Sequence, residues 1–127
     1  MSSILLRPLA ASMLAVLALT AGACGGDSEP VLSSQEAQGK ALARDKNCTA
    51  CHSVTGGRSE GPTWKGLAGS TVNLADGTTV VADDAYLARS IKEPNAQIVR
   101  GYRTAMPTTP MSDADIAAVT ADIKTIK

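Results

Sequence analysis

The sequence predicts an all-α domain of three to four helices with a short β-hairpin inserted among them. Three observations carry that expectation. Three stretches open on a capping residue and continue with apolar residues at helical spacing. One stretch carries β-branched residues on both sides of an Asp-Gly turn. The 127 residues include no Phe, one Trp and two Tyr, and many of the apolar residues are Ala. Such a chain has little large apolar surface with which to offset its conformational entropy. The helices are therefore expected to close around something other than side chains.

The N-terminal part does not read as domain. Arg7 supplies a positive charge, Leu9 to Leu19 is an apolar run, and Thr20-Ala21-Gly22-Ala23 is small throughout. Charge, apolar run and small-residue cleavage site in that order make a secretory signal over residues 1–23. The run falls short of the roughly 20 apolar residues that a membrane span needs. Cys24 follows directly, and the arrangement resembles a bacterial lipobox, with Ala21 where Leu is more usual. The resemblance implies a lipid on Cys24 that holds the protein to a membrane surface without spanning it. Plain signal cleavage and an uncleaved anchor are the alternatives. Residues 24–33 then form the lipidated N-terminus and a flexible tether, and residues 34–127 the domain.

Within the domain, Ser33 and Glu36 form a capping box, and Ser34 to about Asp45 favours helix, with Ala37, Ala41 and Leu42 on one side. Ser53 to Gly69 is rich in Gly and reads as loop. Thr71-Val72-Asn73-Leu74 and Thr78-Thr79-Val80-Val81 flank Ala75-Asp76-Gly77 as a hairpin. Asp83 and Asp84 can cap a second helix that runs to about Lys92, because Pro94 disfavours helix at Glu93. Residues 95–111, punctuated by proline, show no helical period. Ser112, with Asp113 and Asp115 behind it, starts a last helix whose stripe is Ile116, Val119, Ile123 and Ile126.

The charges balance, 12 Lys+Arg against 12 Asp+Glu, and no basic block occurs. That excludes a nucleic-acid partner as an expectation.

The chemistry lies in Cys48-Thr49-Ala50-Cys51-His52. Cys-x-x-Cys-His is the signature of c-type haem attachment. Two thiols three positions apart on a helical turn reach both vinyl groups of one porphyrin edge, and the adjacent imidazole meets the iron. A redox Cys-x-x-Cys normally opens a helix after a strand, whereas this one follows a helix. Zinc needs four ligands, and the chain has neither another His nor a second Cys pair. A structural disulfide leaves His52 without a role. The second axial ligand is expected to be a methionine: Met106, stiffened by Pro107, or else Met111, which abuts the last helix and is better placed to pack beneath it.

Gly39, Cys48-Thr49-Ala50-Cys51-His52, Gly61-Pro62 and Met106-Pro107 fall in the order and spacing of class I cytochromes c. Gly69 to Ala82, Asp83 to Leu87, Ser90-Ile91 and Gly101-Tyr102 resemble more closely the cytochrome c domain of subunit II in some caa3-type oxidases. The resemblance covers about Gln35 to Ile126 and implies helices around one covalent haem c with iron held by His52 and Met106. It implies that the Pro62 carbonyl accepts a hydrogen bond from His52. It implies a close crossing of first and last helices at Gly39, and it makes Trp64, Tyr102 and Arg103 candidates to line the haem or bond its propionates. One departure is Asp122, which stands where the family usually has an aromatic residue.

The function implied is single-electron transfer rather than enzymatic catalysis, by a monomer outside the cytoplasmic membrane. The implied partners are a quinol–cytochrome c reductase and a terminal oxidase. A haem protein with an open iron site for gas or peroxide is the alternative, as is a fixed electron-transfer subunit of a dehydrogenase complex.

Overall fold

The structure, a computed structural model, describes residues 32–103 and 105–127. The expected signal, Cys24 and most of the tether lie outside the described residues. The element order is α1 (Ser34–Asp45), a 3₁₀ turn (Cys48–Ala50), β1 (Thr71–Asn73), β2 (Thr79–Val81), α2 (Asp84–Lys92) and α3 (Asp113–Thr125). This is the mostly helical architecture with one small antiparallel sheet that the sequence predicts.

Each helix starts where a side chain can satisfy its free N–H groups. Ser33 and Glu36 bond reciprocally at α1, and Ser112 and Asp115 do the same at α3. The Asp83 carboxylate accepts from the Tyr86 N–H at α2. Helix α2 ends at Glu93, beside Pro94. In the hairpin Thr71 pairs with Val81, Val72 with Val80 and Asn73 with Thr79. Asp76 closes its turn by accepting from both the N–H and the hydroxyl of Thr78. The irregular segment after α2 is tied to this hairpin by a bridge between Leu74 and Val99.

Helices α2 and α3 run antiparallel. Lys92 at the end of α2 meets Asp113 at the start of α3, at 2.9 Å. Asp84 at the start of α2 meets Lys124 near the end of α3, at 2.8 Å. Both pairs are exposed, so they set register more than stability.

Two details of the helix faces differ from the sequence reading. Ala37 is exposed; α1 instead buries Gly39 and Ala43, with Ala41 and Leu42 half-buried. The stripe of α3 buries Ile116, Val119 and Ile123, while Ile126 is only half-buried. A second row, Ala118 and Asp122, is also buried. The cause of both is the crossing of α1 with α3. A Cβ on Gly39 would lie 1.9 Å from the Ala118 carbonyl oxygen, so the two backbones touch and turn their small residues inward.

Asp122 sits in that crossing, 5% exposed. Burial pushes its carboxyl above the ordinary carboxylate range; Lys40 pulls the other way and Glu36 reinforces the rise. A folded-state pKa above the unfolded one means that the proton on Asp122 stabilises the fold at low pH. That contribution is lost as pH rises through the raised value. Asp122→Asn is therefore expected to raise stability at pH 7. The gain should shrink as the pH approaches about 4, the ordinary carboxylate pKa. Denaturant midpoints of both proteins at the two pH values check it, and an Asn variant no more stable at pH 7 refutes it.

Candidate functional site

Helix α1 is followed by Asn47 in the left-handed region, φ 61°. That reversal sends the chain into the 3₁₀ turn, where the N–H groups of Cys51 and His52 both donate to the Cys48 carbonyl, at 3.1 and 3.0 Å. In a 3₁₀ turn residues i and i+3 eclipse, so Cys48 and Cys51 share one side of it. Both thiols are free. Cys48 is half-buried against the core, and this burial pushes its thiol up. A disulfide oxidoreductase needs the opposite shift.

His52 follows the turn and is gripped by the loop that returns beneath it. The Gly61 N–H donates to the Cys51 carbonyl at 2.8 Å; the Trp64 N–H and the Thr63 hydroxyl both donate to the Ser53 carbonyl, each at 2.8 Å. Between these bonds His52 Nδ1 lies 2.7 Å from the Pro62 carbonyl oxygen. A carbonyl can only accept, so Nδ1 carries the proton, and the neutral ring keeps its lone pair on Nε2. Gly61 allows the approach, since a Cβ there would come within 2.6 Å of His52 Cε1. Trp64 lies over the imidazole, ring centroids 5.3 Å apart and planes 20° from parallel.

These groups border a cavity of about 490 Å³, within the roughly 300–1,000 Å³ usual for a cofactor pocket. Cys51, which is exposed, lies at its opening. Its walls include Leu67 of the loop, Val72 of β1, Leu87 and Ile91 of α2, Val99 beyond it, and Ile123 of α3. All three aromatic residues of the chain, Trp64, Tyr86 and Tyr102, line it. Trp64 and Tyr86 belong at the same time to the buried core, so the core and the cavity wall share the chain's few large side chains.

Met106 lines the same cavity as His52, and the side-chain amide of Asn95 donates to the Met106 carbonyl at 3.4 Å. Met111 is outside it and packs against the buried cluster. Pro62, Trp64 and Tyr102 line the cavity, but Arg103 is exposed and does not; its neighbour Thr104 is outside the described residues. The cation in the wall is Arg100, positioned by its N–H donating to Asn73 at 2.9 Å. The sequence reading missed Arg100 and Tyr86. The hairpin bridge that places Arg100 has no local sequence signal. Tyr86 belongs to an apolar helix face that reads equally well as core.

The residues present fit a covalent haem. Cys51 in the cavity wall with Cys48 beside it in the same turn, packed against the core, an imidazole with a free Nε2, a thioether in the same cavity and largely apolar walls make a donor set suited to it.

The family model described as Cytochrome c matches residues 36–127. No curated protein matches the chain.

Proposed function

The chain belongs to the cytochrome c family, and from that premise we propose a membrane-tethered carrier of single electrons whose iron is held by His52 and Met106. The domain carries a covalent haem c with iron, and its general activity is electron transfer. When bound, the haem supplies a metal that changes oxidation state by one electron. This chain's residues supply the rest. Cys48 and Cys51 hold the group by thioether bonds. The Pro62 carbonyl orients His52 and strengthens it as a donor. The apolar walls exclude water, and Arg100 and Tyr102 offer donors to carboxylates at the cavity edge.

The observation that carries the reading is that His52, with Nε2 free, and Met106 border one cavity while Met111 does not. A ligand on each side keeps the coordination unchanged between oxidation states and leaves no position for oxygen or peroxide. Met106→Ala tests it. The variant is expected to lose the thioether-to-iron charge-transfer band in the far red and to bind cyanide or carbon monoxide readily. Its midpoint potential should fall by on the order of 0.1 V, inside the span of about 0.8 V that axial ligands cover. A wild-type protein that already binds carbon monoxide tightly refutes the carrier reading in favour of a haem enzyme or gas-binding protein.

Tethering rests on the lipobox-like run before Cys24. Among the described residues no helix is long and apolar enough to cross a membrane; the attachment proposed is a lipid on Cys24. The site of action is the outer side of the cytoplasmic membrane, between a quinol–cytochrome c reductase and a terminal oxidase. The mass of the mature protein from the membrane fraction checks the lipid, and co-purification checks the partners.

A further inference from the structure

The hydrogen bond to Pro62 fixes one point of the His52 ring and leaves the ring able to swing about the Nδ1···O line. Gly61 approaches the ring closely, and the indole of Trp64 stacks on its face. Its separation from His52, 5.3 Å at 20°, is that of an offset stack. Trp64 is 5% exposed and so has little room to move. Its own backbone is pinned one residue from the ring it covers, through its N–H to the Ser53 carbonyl. The same loop is anchored two residues on, where the Gly66 N–H donates to the Ile126 carbonyl at the end of α3, at 2.9 Å. The imidazole is thus held on an edge by Pro62 and on a face by Trp64, by groups of the chain alone.

We propose that Trp64 is a positioning residue for His52: its indole sets the plane of the imidazole and thereby the electronic orientation of the axial ligand at the iron. The inference rests on the reading of His52 as that ligand. An imidazole plane selects which of the iron's near-degenerate d orbitals lies higher. Its rotation therefore alters the magnetic anisotropy of the ferric state even when the bond length does not change. An aliphatic side chain of similar volume would fill the space beside His52 without defining a plane.

The test compares Trp64→Leu with Trp64→Phe in haem-loaded protein matured by a cytochrome c assembly system. Both are smaller than Trp; Leu keeps an apolar side chain without a plane, and Phe keeps a flat face. Trp64→Phe is expected to retain the wild-type order of hyperfine-shifted haem-methyl resonances. Trp64→Leu is expected to change that order and to broaden the low-spin ferric electron-resonance signal. If Leu and Phe both keep the wild-type pattern, Trp64 is a space-filler and the inference is overturned. A second measurement needs no variant. In the ferrous wild-type protein a nuclear Overhauser contact between the indole and the His52 ring is expected, and its absence also overturns the inference. Failure of the underlying reading looks different: the wild-type ferric signal would then carry no coupling from ¹⁵N-labelled histidine, and both ideas fall together.

Discussion

A double Cys48→Ser, Cys51→Ser variant, matured where wild-type protein acquires its colour, is expected to emerge with the mass of the bare polypeptide. Any haem it retains should extract completely into acidified organic solvent. This is an all-or-none effect, because a hydroxyl forms no thioether and the described residues hold no further cysteine. The single variants separate the two sulfurs. Cys51 is exposed at the cavity opening, so Cys51→Ser should lose one bond with little cost to the polypeptide fold. Cys48 is half-buried against the core, and that burial pushes its thiol up. Cys48→Ser therefore loses a bond and also places a hydroxyl against apolar neighbours, at a cost of about 1–3 kcal/mol. Mass spectrometry before and after extraction reads both results. A double variant that keeps covalent haem would remove the basis of the site as described.

What the sequence made legible follows from how local the responsible physics is. Ser33–Glu36 and Ser112 mark helix starts because a cap is settled within four residues, and both caps are present. The hairpin register follows from Asp76-Gly77 and the β-branched residues around it. The spacing of Cys48 and Cys51 announces its chemistry because a single turn of backbone suffices to place the two sulfurs together. Position in space was harder to read. Ala37 looks as apolar as Ala43, and only the crossing with α3 decides that Ala43 is buried and Ala37 is not. Arg103 and Arg100 are indistinguishable by composition. The bridge from Leu74 to Val99, a pairing distant in sequence, puts Arg100 into the cavity wall and leaves Arg103 outside it. The face of α2 that carries Tyr86, Leu87 and Ile91 reads as core, yet all three border the hollow. A periodic apolar face records that it is covered, not whether side chains or a cofactor cover it.

Gly39→Ala is expected to destabilise the domain by about 2 kcal/mol or more, against the ordinary direction of a glycine-to-alanine change in a helix. Helix propensity alone favours Ala by about 1 kcal/mol. The new Cβ, however, would lie 1.9 Å from the Ala118 carbonyl oxygen, 2.5 Å from its carbon and 3.0 Å from Asp122 Cβ. The first two are backbone atoms of α3, so no rotamer change relieves the clash and the helices must move apart. Overpacking of this kind costs roughly 1–3 kcal/mol and sometimes more. Contact with an unyielding backbone, together with the burial of Asp122 in the same crossing, puts it at the upper end. Separation also reaches the site, because α1 leads through Asn47 directly into the turn that carries Cys48 and Cys51. Thermal unfolding of the haem-loaded variant should show a midpoint lower by about 8 °C or more, at some 4–8 °C per kcal/mol for a domain of this size. The control is Gln38→Ala, one residue away but exposed, which should stay within about 0.5 kcal/mol of wild type. A Gly39→Ala protein as stable as that control would mean that α1 and α3 do not touch at Gly39, and the buried placement of Asp122 would fall with the crossing.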